Sequence, residues 1–566
     1  MLVTEAKADK HAKSNQHRFN KIELVLLIIL LTLGFALRIW NIASVGLDHF
    51  DEGVYVFSAL GLTDSNQAHW LYPGQFKISP PIFFSLVGLS YGIFGGPSDT
   101  AAILVNVFLG TLTIGALWWI GRSWFSPQVG IAAAALLALS EYHVELSRTA
   151  LSDVAFALFF LLALAMIVIT FQRQSISLAI VTGLVVGLAW NTKYHGWFAL
   201  LIAGLSLFPF AWHRRSDGLF LRRSFIPLGI MIVVAVACYL PWALYVHSQP
   251  GGYAALAAYQ RTMINRHYWL TNLWWQIQNQ VFFEGWFSRA SVPIAFLSIL
   301  LVSPQRAQRS VKFFLILLIL SASAILIGSS GTAVLLTLLS IPVLLRRPAS
   351  FPSWLVLGWL AIWFFSTPLY RPYARLVLPF TIATYLVAGL WLSTKINDQL
   401  SKEGGRVAYR PIWTVLAGTV VVIISVFLMT NPSNPWRPSR GASDAAAAMA
   451  KLIPPGERVI VIAEPSLAFY LHLANRPAFE RTEDPALLEN LENPVYLVTG
   501  VYADRAPTLR EGLKKINDRM VPLGRFPVIP KDIRLLDDFS PQEVRNFLNH
   551  PDNTYDLRLY RLYPKT

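Results

Sequence analysis

The segment Gly46-Leu47-Asp48-His49-Phe50-Asp51-Glu52-Gly53-Val54-Tyr55 is a polar island directly after the first long apolar stretch of the chain. It carries three carboxylates at a position predicted to lie at a membrane surface. Ionisable side chains are costly to place in or beside hydrocarbon, and those that are present there mostly serve function. The segment therefore predicts a site at the membrane surface, with Asp51 as the candidate catalytic residue.

The composition is that of a polytopic membrane protein. Of the 566 residues, 54% are hydrophobic and only 14% are charged, and the mean hydropathy is +0.48. These values lie far from those of a soluble globular protein. The single cysteine, Cys238, lies in an apolar run, so no intrachain disulfide is possible. We expect it to act as a small buried apolar residue.

The formal charge of +15 does not predict a nucleic-acid partner. From Asn431 onward the chain holds 18 basic and 17 acidic residues, which leaves 29 of the 47 basic and 15 of the 32 acidic residues in residues 1–430. The excess of positive charge therefore belongs to the membrane part. The positive-inside rule accounts for it without any polyanion.

The N-terminal region predicts a cytoplasmic tail and a first span. Residues 1–21 are polar and basic, and residues 22–42 are apolar over about the 20 residues that a bilayer requires. No small-residue cleavage site is evident, so we expect an uncleaved span and not a signal peptide. The polar island then emerges on the outer face. The short apolar segment Ile82–Phe94 is predicted to lie at the interface, since a span there would move Arg122 and Arg173 outside.

The apolar segments predict thirteen spans in residues 22–430. After the first, they lie at roughly 100–121, 128–142, 151–171, 177–192, 196–212, 225–246, 291–303, 311–328, 331–345, 353–370, 376–394 and 412–430. On this topology 20 of the 29 basic residues fall inside, whereas nine of the 15 acidic residues fall outside or near the outer ends. The expected fold class is a polytopic α-helical protein of the plasma membrane.

Residues 431–566 predict a small extracytoplasmic α/β domain. A proline-rich linker begins at Asn431, and ordinary amphipathic patterns follow it. The predicted helices and strands are Ala445–Leu452, Arg458–Ala463, Val495–Thr499, Pro507–Ile516 and Leu557–Tyr563.

The sequence shows no fixed-period repeat, Cys/His metal cluster, Walker loop, GxSxG elbow or glycine-rich nucleotide fingerprint. The candidate groups are therefore the ionisable residues that the topology gathers near the outer face. They are Asp48, Asp51, Glu52, Asp64, Asp99, Glu141, Glu145, Asp153 and Glu284, with Arg38, Lys77, Arg148, Lys193, Arg261, Arg266, Arg289, Arg371 and Arg375.

A cleft with these charges suits a substrate that has a long apolar tail and an anionic head. Arginine and lysine bind phosphate oxygens, and a nearby carboxylate can accept the proton of an acceptor hydroxyl. We interpret the substrate as a phosphate-activated sugar, whose transfer leaves a lipid phosphate behind.

Five motifs occur in order along the membrane part. They are Asp51-Glu52-Gly-x-Tyr55, Pro80-Pro81 followed by Ile82–Gly95, Ser147-Arg148-Thr-Ala-Leu-Ser-Asp153, Gly187-Leu-Ala-Trp-Asn-Thr-Lys193, and Arg371-Pro-Tyr-Ala-Arg375-Leu-Val-Leu-Pro379. No single motif is specific, but the ordered set resembles the family 39 glycosyltransferases. This GT-C group holds the protein O-mannosyltransferases and the bacterial lipid A aminoarabinose transferase.

The resemblance implies a GT-C fold and transfer from a polyprenyl-phosphate sugar donor to a lipid, glycan or protein acceptor at the outer face. It makes Asp51 the general base of a single inverting displacement, with Glu52 and Asp153 in the same catalytic group. Donor phosphate contacts are expected from Lys193, Arg371 and Arg375, together with Arg148. Tyr55, Lys77, His195, Arg261 and His267 complete the predicted substrate cleft.

No cofactor is assigned from the sequence. Many members of the family carry a His or a Glu-Lys pair just before the two prolines, where this chain has Lys77-Ile78-Ser79. The carboxylate that would bind a metal is missing there, so a divalent metal is disfavoured. His49 and His195 do not form a ligand set.

Each candidate also has a structural interpretation. Asp51 and Glu52 suit the first turn of an interfacial helix, and Asp153 suits a helix N-cap. Arg148 is spaced to pair with Glu145 on one helical face. The Trp-rich segment Tyr259–Trp286 is either an interfacial aromatic belt or a mobile flap over the donor.

Two other functions remain open. A transporter or flippase of polyprenyl-linked glycans would place charges near the membrane midplane in two related halves. A glycan polymerase or ligase would carry large outer loops with paired arginines, and only Arg261 and Arg266 resemble that. Charges gathered at one face favour the transferase. The C-terminal domain either recognises the acceptor or caps the membrane part.

Overall fold

The computed structural model describes residues 21–63, 79–213, 218–249, 251–264, 266–303, 311–346, 350–402, 436–474, 479–482, 488–528, 539–550 and 554–565. Helices and strands are numbered over these residues. Lys77, the basic tail, the segment predicted to span at 412–430 and the predicted domain boundary at 431 lie outside them.

The part before residue 403 is helical. Its first half consists of α1 (Lys21–Ile39), α2 (Phe50–Thr63), α3 (Pro81–Ile93), α4 (Asp99–Trp124), α5 (Pro127–Ala138), α6 (Glu141–Ser147), α7 (Ser152–Arg173) and α8 (Ile176–Trp190). Its second half consists of α9 (Phe198–His213), α10 (Gly218–Ser248), α11 (Gly252–Thr262), α12 (Trp269–Val281), α13 (Trp286–Val302), α14 (Val311–Leu345), α15 (Phe351–Ser366) and α16 (Leu378–Lys402). Short 3₁₀ turns include Tyr194–Trp197, Thr367–Leu369 and Ala374–Val377.

The predicted multi-pass helical fold is confirmed. Among the described residues, eight helices are long and apolar enough to cross a membrane, or up to ten if each of two bent pairs forms one span. The first bent pair is Pro127–Ala138 with Glu141–Ser147, and the second is Arg266–Val281 with Trp286–Val302; their bends are 63° and 88°. The number thirteen stays a prediction.

Arg38 explains why the segment predicted as a straight span at 128–142 bends instead. Its buried guanidinium donates to the carbonyl oxygens of Leu137 and Ala138, both at 3.4 Å, and contacts His143 Nδ1 at 2.7 Å. These carbonyls end α5, where no further turn of helix supplies donors. The arginine therefore stabilises the break between α5 and α6.

The long element α14 turns back at Gly328, which has φ 74°. Ser323 Oγ lies 3.0 Å from Thr332 Oγ1, although nine residues of straight helix span about 13 Å. Two helical segments therefore meet here, in agreement with the separate segments predicted at 311–328 and 331–345. Buried Glu284 accepts the backbone N–H groups of Ser329 and Ser330 at 3.0 and 3.1 Å and caps the second segment.

The C-terminal part, residues 436–565, holds a mixed sheet of five strands in the order β2-β1-β3-β5-β4. Its elements are α17 (Gly441–Leu452), β1 (Val459–Ile462), α18 (Pro465–Leu473), β2 (Phe479–Thr482), β3 (Val495–Thr499), α19 (Val501–Arg505), α20 (Pro507–Lys515), β4 (Met520–Val528), α21 (Pro541–Asn549) and β5 (Tyr555–Leu562). β1 runs parallel to β2 and β3, whereas β5 is antiparallel to β3 and β4.

The predicted elements of the C-terminal part are confirmed to within a few residues at their ends. The sequence patterns missed β4, because Pro522, Gly524 and Pro527 interrupt its alternation. β4 lies at the edge of the sheet and has an irregular register between Pro522 and Gly524, where proline costs no ladder hydrogen bond. An edge position thus accommodates a strand whose prolines and glycine do not predict one.

The C-terminal part is fastened to the end of α1. Trp436 Nε1 donates to Leu37 O at 2.7 Å, and Arg440 Nη1 donates to Ala43 O at 2.7 Å. Val45 and Ser439 form a parallel β-bridge. These contacts bring the sheet against the polar island, where α18 packs on α2.

Candidate active site

The polar island becomes a loop and the first turn of α2. Asp51 lies in that turn with 32% of its side chain exposed, and it lines a cavity of about 1340 Å³. One helical turn later, the hydroxyl of Tyr55 lies 2.8 Å from Ser152 Oγ. α2 therefore presents its acid to the cavity while Tyr55 links it to the start of α7.

Four charged side chains from distant parts of the chain meet at this cavity. Arg375 Nη2 lies 2.6 Å from Asp51 Oδ2, and its Nη1 lies 3.9 Å from Asp153 Oδ2. Lys193 Nζ pairs with Asp153 Oδ1. These residues form the cation–carboxylate cluster, and the structure thus brings together four of the predicted site residues.

The cluster is largely shielded from solvent. The side chains of Asp153, Arg375 and Lys193 are 3%, 7% and 16% exposed. Alternation of acids and bases offsets the large cost of removing each charge from water. Burial is the largest influence on Lys193 and lowers the pKa of its ammonium group, while Asp153 opposes that shift. Burial and the charge of Asp51 raise the pKa of Tyr55 to about 12.

Glu52 is placed to order backbone and lies away from the cavity lining. Its Oε2 accepts the N–H groups of Asp48 and His49, both at 3.0 Å, and its Oε1 accepts that of Ala150 at 2.8 Å. It is fully buried. These contacts tie the polar island to the loop before Asp153, and Glu52 does not line the cavity, so its place in the catalytic group stays a prediction that this geometry does not support.

Arg148 also differs from its predicted place. Its guanidinium is fully buried, and Nη1 donates to the carbonyl oxygens of Arg38 and Trp40 at 2.7 Å each. These carbonyls lie in the last turn of α1 and directly after it, where the helix supplies no donors. Arg148 therefore holds the end of α1 and is not placed to contact a donor phosphate.

The remaining predicted residues divide between the cavity and the surface. Arg371 and His195 line the cavity, and His195 packs edge-on against Phe156 and Trp363 at 4.8 and 5.2 Å. Arg261 and His267 are exposed and do not line it, although Gln260 and Thr262 beside them do. The Trp-rich segment thus supplies one wall of the cavity through the end of α11, whereas Arg261 and His267 lie outside the cavity.

Three amides of α12 hold the segment that carries Arg371 and Arg375. Asn272 Nδ2 donates to the carbonyl oxygens of Pro368 and Tyr370 at 3.0 and 3.1 Å. Gln276 Nε2 donates to Thr367 O at 3.1 Å, and Asn279 Nδ2 donates to Pro372 O at 3.3 Å. The amides recur at helical spacing, a signal that the sequence contained but that the aromatic residues around it concealed.

The C-terminal part forms the opposite wall of the cavity, through residues that include Ala463, Tyr502, Arg505 and Thr508. Glu464 and Tyr502 follow the parallel strands β1 and β3, so the carboxyl edge of the sheet faces the cavity. Open sheets bind ligands at this edge. The sequence predicted the strands but not that their ends meet the site.

The described residues do not fit a metal ion. They contain no group of three or more His, Cys, Asp or Glu side chains placed to hold one. Within the cation–carboxylate cluster, Asp51 and Asp153 are already paired with Arg375 and Lys193. We therefore derive no step that involves a metal.

Comparison with known proteins agrees with the resemblance predicted from the motifs. Residues 79–245 match the family described as dolichyl-phosphate-mannose-protein mannosyltransferase. The undecaprenyl phosphate-α-4-amino-4-deoxy-L-arabinose arabinosyl transferase of Pseudomonas savastanoi pv. phaseolicola is 26% identical over 33% of this chain and 36% of its own. A Pseudomonas fluorescens protein of the same description, numbered 1, is 29% identical over 31% of each. The chain thus matches about a third of the length of these curated relatives.

Solved structures show the shared fold. ArnT of Cupriavidus metallidurans, crystallised with undecaprenyl phosphate, superposes with a TM-score of 0.51 over 95% of this chain and 97% of its own, at 15% identity. The archaeal oligosaccharyltransferase AglB of Archaeoglobus fulgidus gives a TM-score of 0.54 over 89% of this chain and 73% of its own, at 14% identity. The predicted fold class is confirmed.

Proposed function

We propose that this protein, which shares its fold with known GT-C glycosyltransferases, moves a sugar from a polyprenyl-phosphate donor to an acceptor at the outer face of a membrane. The observation that carries the proposal is the cation–carboxylate cluster. A partly exposed carboxylate, Asp51, shares one cavity with Lys193, Arg371 and Arg375. These are the groups that acceptor deprotonation and phosphate binding require.

The proposed reaction is a single displacement at the anomeric carbon. The acceptor oxygen forms a bond to that carbon while its proton passes to the carboxylate of Asp51. The bond between the anomeric carbon and the phosphate oxygen breaks, and its electron pair leaves with the phosphate. The products are an inverted glycoside and a polyprenyl phosphate.

Lys193 and Arg375 act on the leaving group in this scheme. A donor phosphodiester carries one negative charge, and the departing phosphate monoester gains a second. Cations fixed beside the phosphate stabilise the departing monoester more than the bound phosphodiester. They therefore lower the barrier of the reaction and do more than tighten donor binding. Their burial strengthens this interaction, since the effective dielectric constant is low.

The size of the cavity suits two substrates. Its volume of about 1340 Å³ exceeds the ~300–1,000 Å³ of an ordinary small-molecule site. Aromatic walls from Tyr194, Trp363, Tyr370 and Tyr373 match a sugar ring and an isoprenoid stem. The chemistry leaves a lipid, glycan or protein as the acceptor.

The test of the activity uses the purified full-length protein in lipid nanodiscs with radiolabelled polyprenyl-phosphate sugars. We expect release of polyprenyl phosphate that accelerates with an acceptor extract from the native membrane. Mass spectrometry of glycolipids and glycans from a deletion strain then names the missing product. A deletion strain with an unchanged glycan profile, together with no donor consumption in vitro, would falsify the proposal.

The proposed orientation places the basic tail in the cytoplasm and the C-terminal part outside the plasma membrane. It rests on the distribution of basic residues. In a Cys238→Ala background, Thr508→Cys in the cavity should react with an impermeant maleimide added to intact cells, whereas Ser123→Cys at the end of α4 should react only after lysis. Labelling in the reverse pattern would invert the scheme.

A further inference from the structure

The backbone N–H groups of residues 46–51 all donate hydrogen bonds. Two of them, those of Asp48 and His49, go to Glu52, and that of Asp51 goes to His49 Nδ1 at 3.1 Å. The other three go to the C-terminal part. Half of the donors of the loop that presents Asp51 are therefore satisfied from outside the helical bundle.

These three acceptors lie far along the chain. Gly46 N–H donates to Ser439 O at 2.6 Å, and Leu47 N–H donates to the hydroxyl of Tyr470 at 2.9 Å. The Phe50 N–H donates to the hydroxyl of Tyr502 at 3.0 Å. Buried amides that lose their acceptor cost about 1–3 kcal/mol each, so the loop depends on the C-terminal part for its conformation.

Further contacts fix the same loop in place. Ser466 Oγ donates to His49 O at 2.9 Å. Tyr470, having accepted from Leu47, donates to Asp99 Oδ2 at 2.9 Å and so connects the loop to α4. At Gly53, a Cβ atom would lie 2.2 Å from Ser466 N and 2.4 Å from Pro465 C. The start of α18 thus packs on α2 more closely than any side chain would allow.

Tyr502 contacts the residue directly before the candidate base. Its hydroxyl accepts from Phe50, the residue before Asp51, and its ring packs edge-on against Phe50 at 5.3 Å. Both residues line the cavity. Glu464 Oε1 in turn accepts the N–H of Tyr502 at 3.1 Å, which fixes Tyr502 to the carboxyl edge of β1 and β3.

We infer that the C-terminal part is a working component of the active site and that Tyr502 is a positioning residue, which holds the first turn of α2 so that Asp51 faces the acceptor. The inference rests on the proposed function and refines it. On this inference, the C-terminal part orients the base and does more than cap the membrane part.

The test compares Tyr502→Phe with Tyr563→Phe in the full-length protein. Tyr502→Phe keeps the ring and removes the hydroxyl that accepts the Phe50 N–H. Tyr563 lies at the exposed end of the sheet, away from the cavity, and provides the matched control. Tyr470→Phe is a second variant, which removes the acceptor of Leu47.

The first readout is hydrogen–deuterium exchange of the peptide that holds residues 46–54, which requires no activity. We expect the Phe50 amide to exchange about threefold to tenfold faster in Tyr502→Phe than in the wild type, as the loss of one hydrogen bond implies. In Tyr563→Phe the rate of exchange at Phe50 should be unchanged. The second readout is turnover: kcat should fall about tenfold, while KM for the donor stays near that of the wild type and the melting temperature falls by no more than a few degrees.

The outcomes separate the two proposals. Unchanged exchange in Tyr502→Phe, or faster exchange with unchanged kcat, overturns the positioning role. A rise of KM alone also overturns it, because Tyr502 would then bind substrate and not orient Asp51. If the wild type consumes no polyprenyl-phosphate sugar, the proposed function fails, and the exchange data still decide whether the C-terminal part holds the loop.

Discussion

Arg375 lies 2.6 Å from Asp51 across 324 residues of sequence. The ion pair stabilises the charged form of the carboxylate, which is the form that accepts a proton. The same guanidinium is aimed at the cavity where a donor phosphate would bind. On the proposed function, arrival of the phosphate gives Arg375 a third anionic partner beside Asp51 and Asp153, so donor binding and base activation are coupled through one side chain.

Asp51→Asn removes the proposed base with little change of shape. We expect kcat to fall by about 10²–10⁴, the usual contribution of general-base catalysis, with membrane insertion and melting temperature close to those of the wild type. Transfer is measured with labelled donor, and Asp518→Asn on the surface of the C-terminal part is the control. Turnover retained in Asp51→Asn would contradict the assignment.

Lys193→Met and Arg371→Gln distinguish a buried from an exposed cation at the same cavity. Loss of a charge-assisted contact costs about 1.5–3 kcal/mol, so Lys193→Met should weaken donor binding roughly tenfold or more and lower kcat. Arg371 is exposed and screened by water, so its variant should show a smaller effect that shrinks further in salt. Donor titrations at two ionic strengths measure both. Equal losses in the two variants would argue against the cluster as the phosphate site.

Asn272→Leu removes two donors to the segment that carries Arg375. We expect a loss of about 1–3 kcal/mol in the free energy of unfolding, because the carbonyl oxygens of Pro368 and Tyr370 each lose this donor, and a fall in turnover because Arg375 is held less firmly. Gln278→Leu, on another face of α12, controls for the added apolar side chain. Thermal unfolding and donor turnover should change together in the first variant only.

Glu464 makes stability depend on pH. Burial is the main reason that its pKa is raised to about 8. The folded protein therefore keeps a proton that the unfolded chain releases above its ordinary value near 4.5. The contribution of protonated Glu464 to the free energy of unfolding is complete below pH 4.5. It is lost as the pH rises towards about 8, at up to ~1.4 kcal/mol per pH unit. Glu464→Gln should melt higher than the wild type at pH 8 to 9, whereas exposed Glu492→Gln should not; equal melting temperatures would contradict the raised pKa.

The sequence predicted the membrane fold, and it singled out four charged residues that the structure brings together, because these signals are local. Apolar length marks each helix, and the motifs around Asp51, Asp153, Lys193 and Arg375 are short. The distribution of basic residues predicted that these motifs share one face of the membrane, and the structure gathers all four side chains at one cavity. Within this group, the pairing of Arg375 with both acids could not be predicted from the sequence.

The differences between the predicted and the observed positions concern contacts between distant residues. The charges of Arg148 and Glu52 suggested chemistry, but each is buried and bound to backbone from another element. The amides of α12 and the hydroxyl of Tyr502 have no charge, and their partners lie 91 or more residues away. Such pairings follow from tertiary packing, which no local pattern encodes.

The bond from Phe50 to Tyr502 spans 452 positions, and this has a consequence for biosynthesis. Chains are made from the N-terminus, so α2 is synthesised long before the residues that hold its first turn exist. A nascent or truncated chain would carry Asp51 on an incompletely fastened loop. On the proposed function, we expect the order of synthesis to delay activity until the last part of the protein has folded against the first.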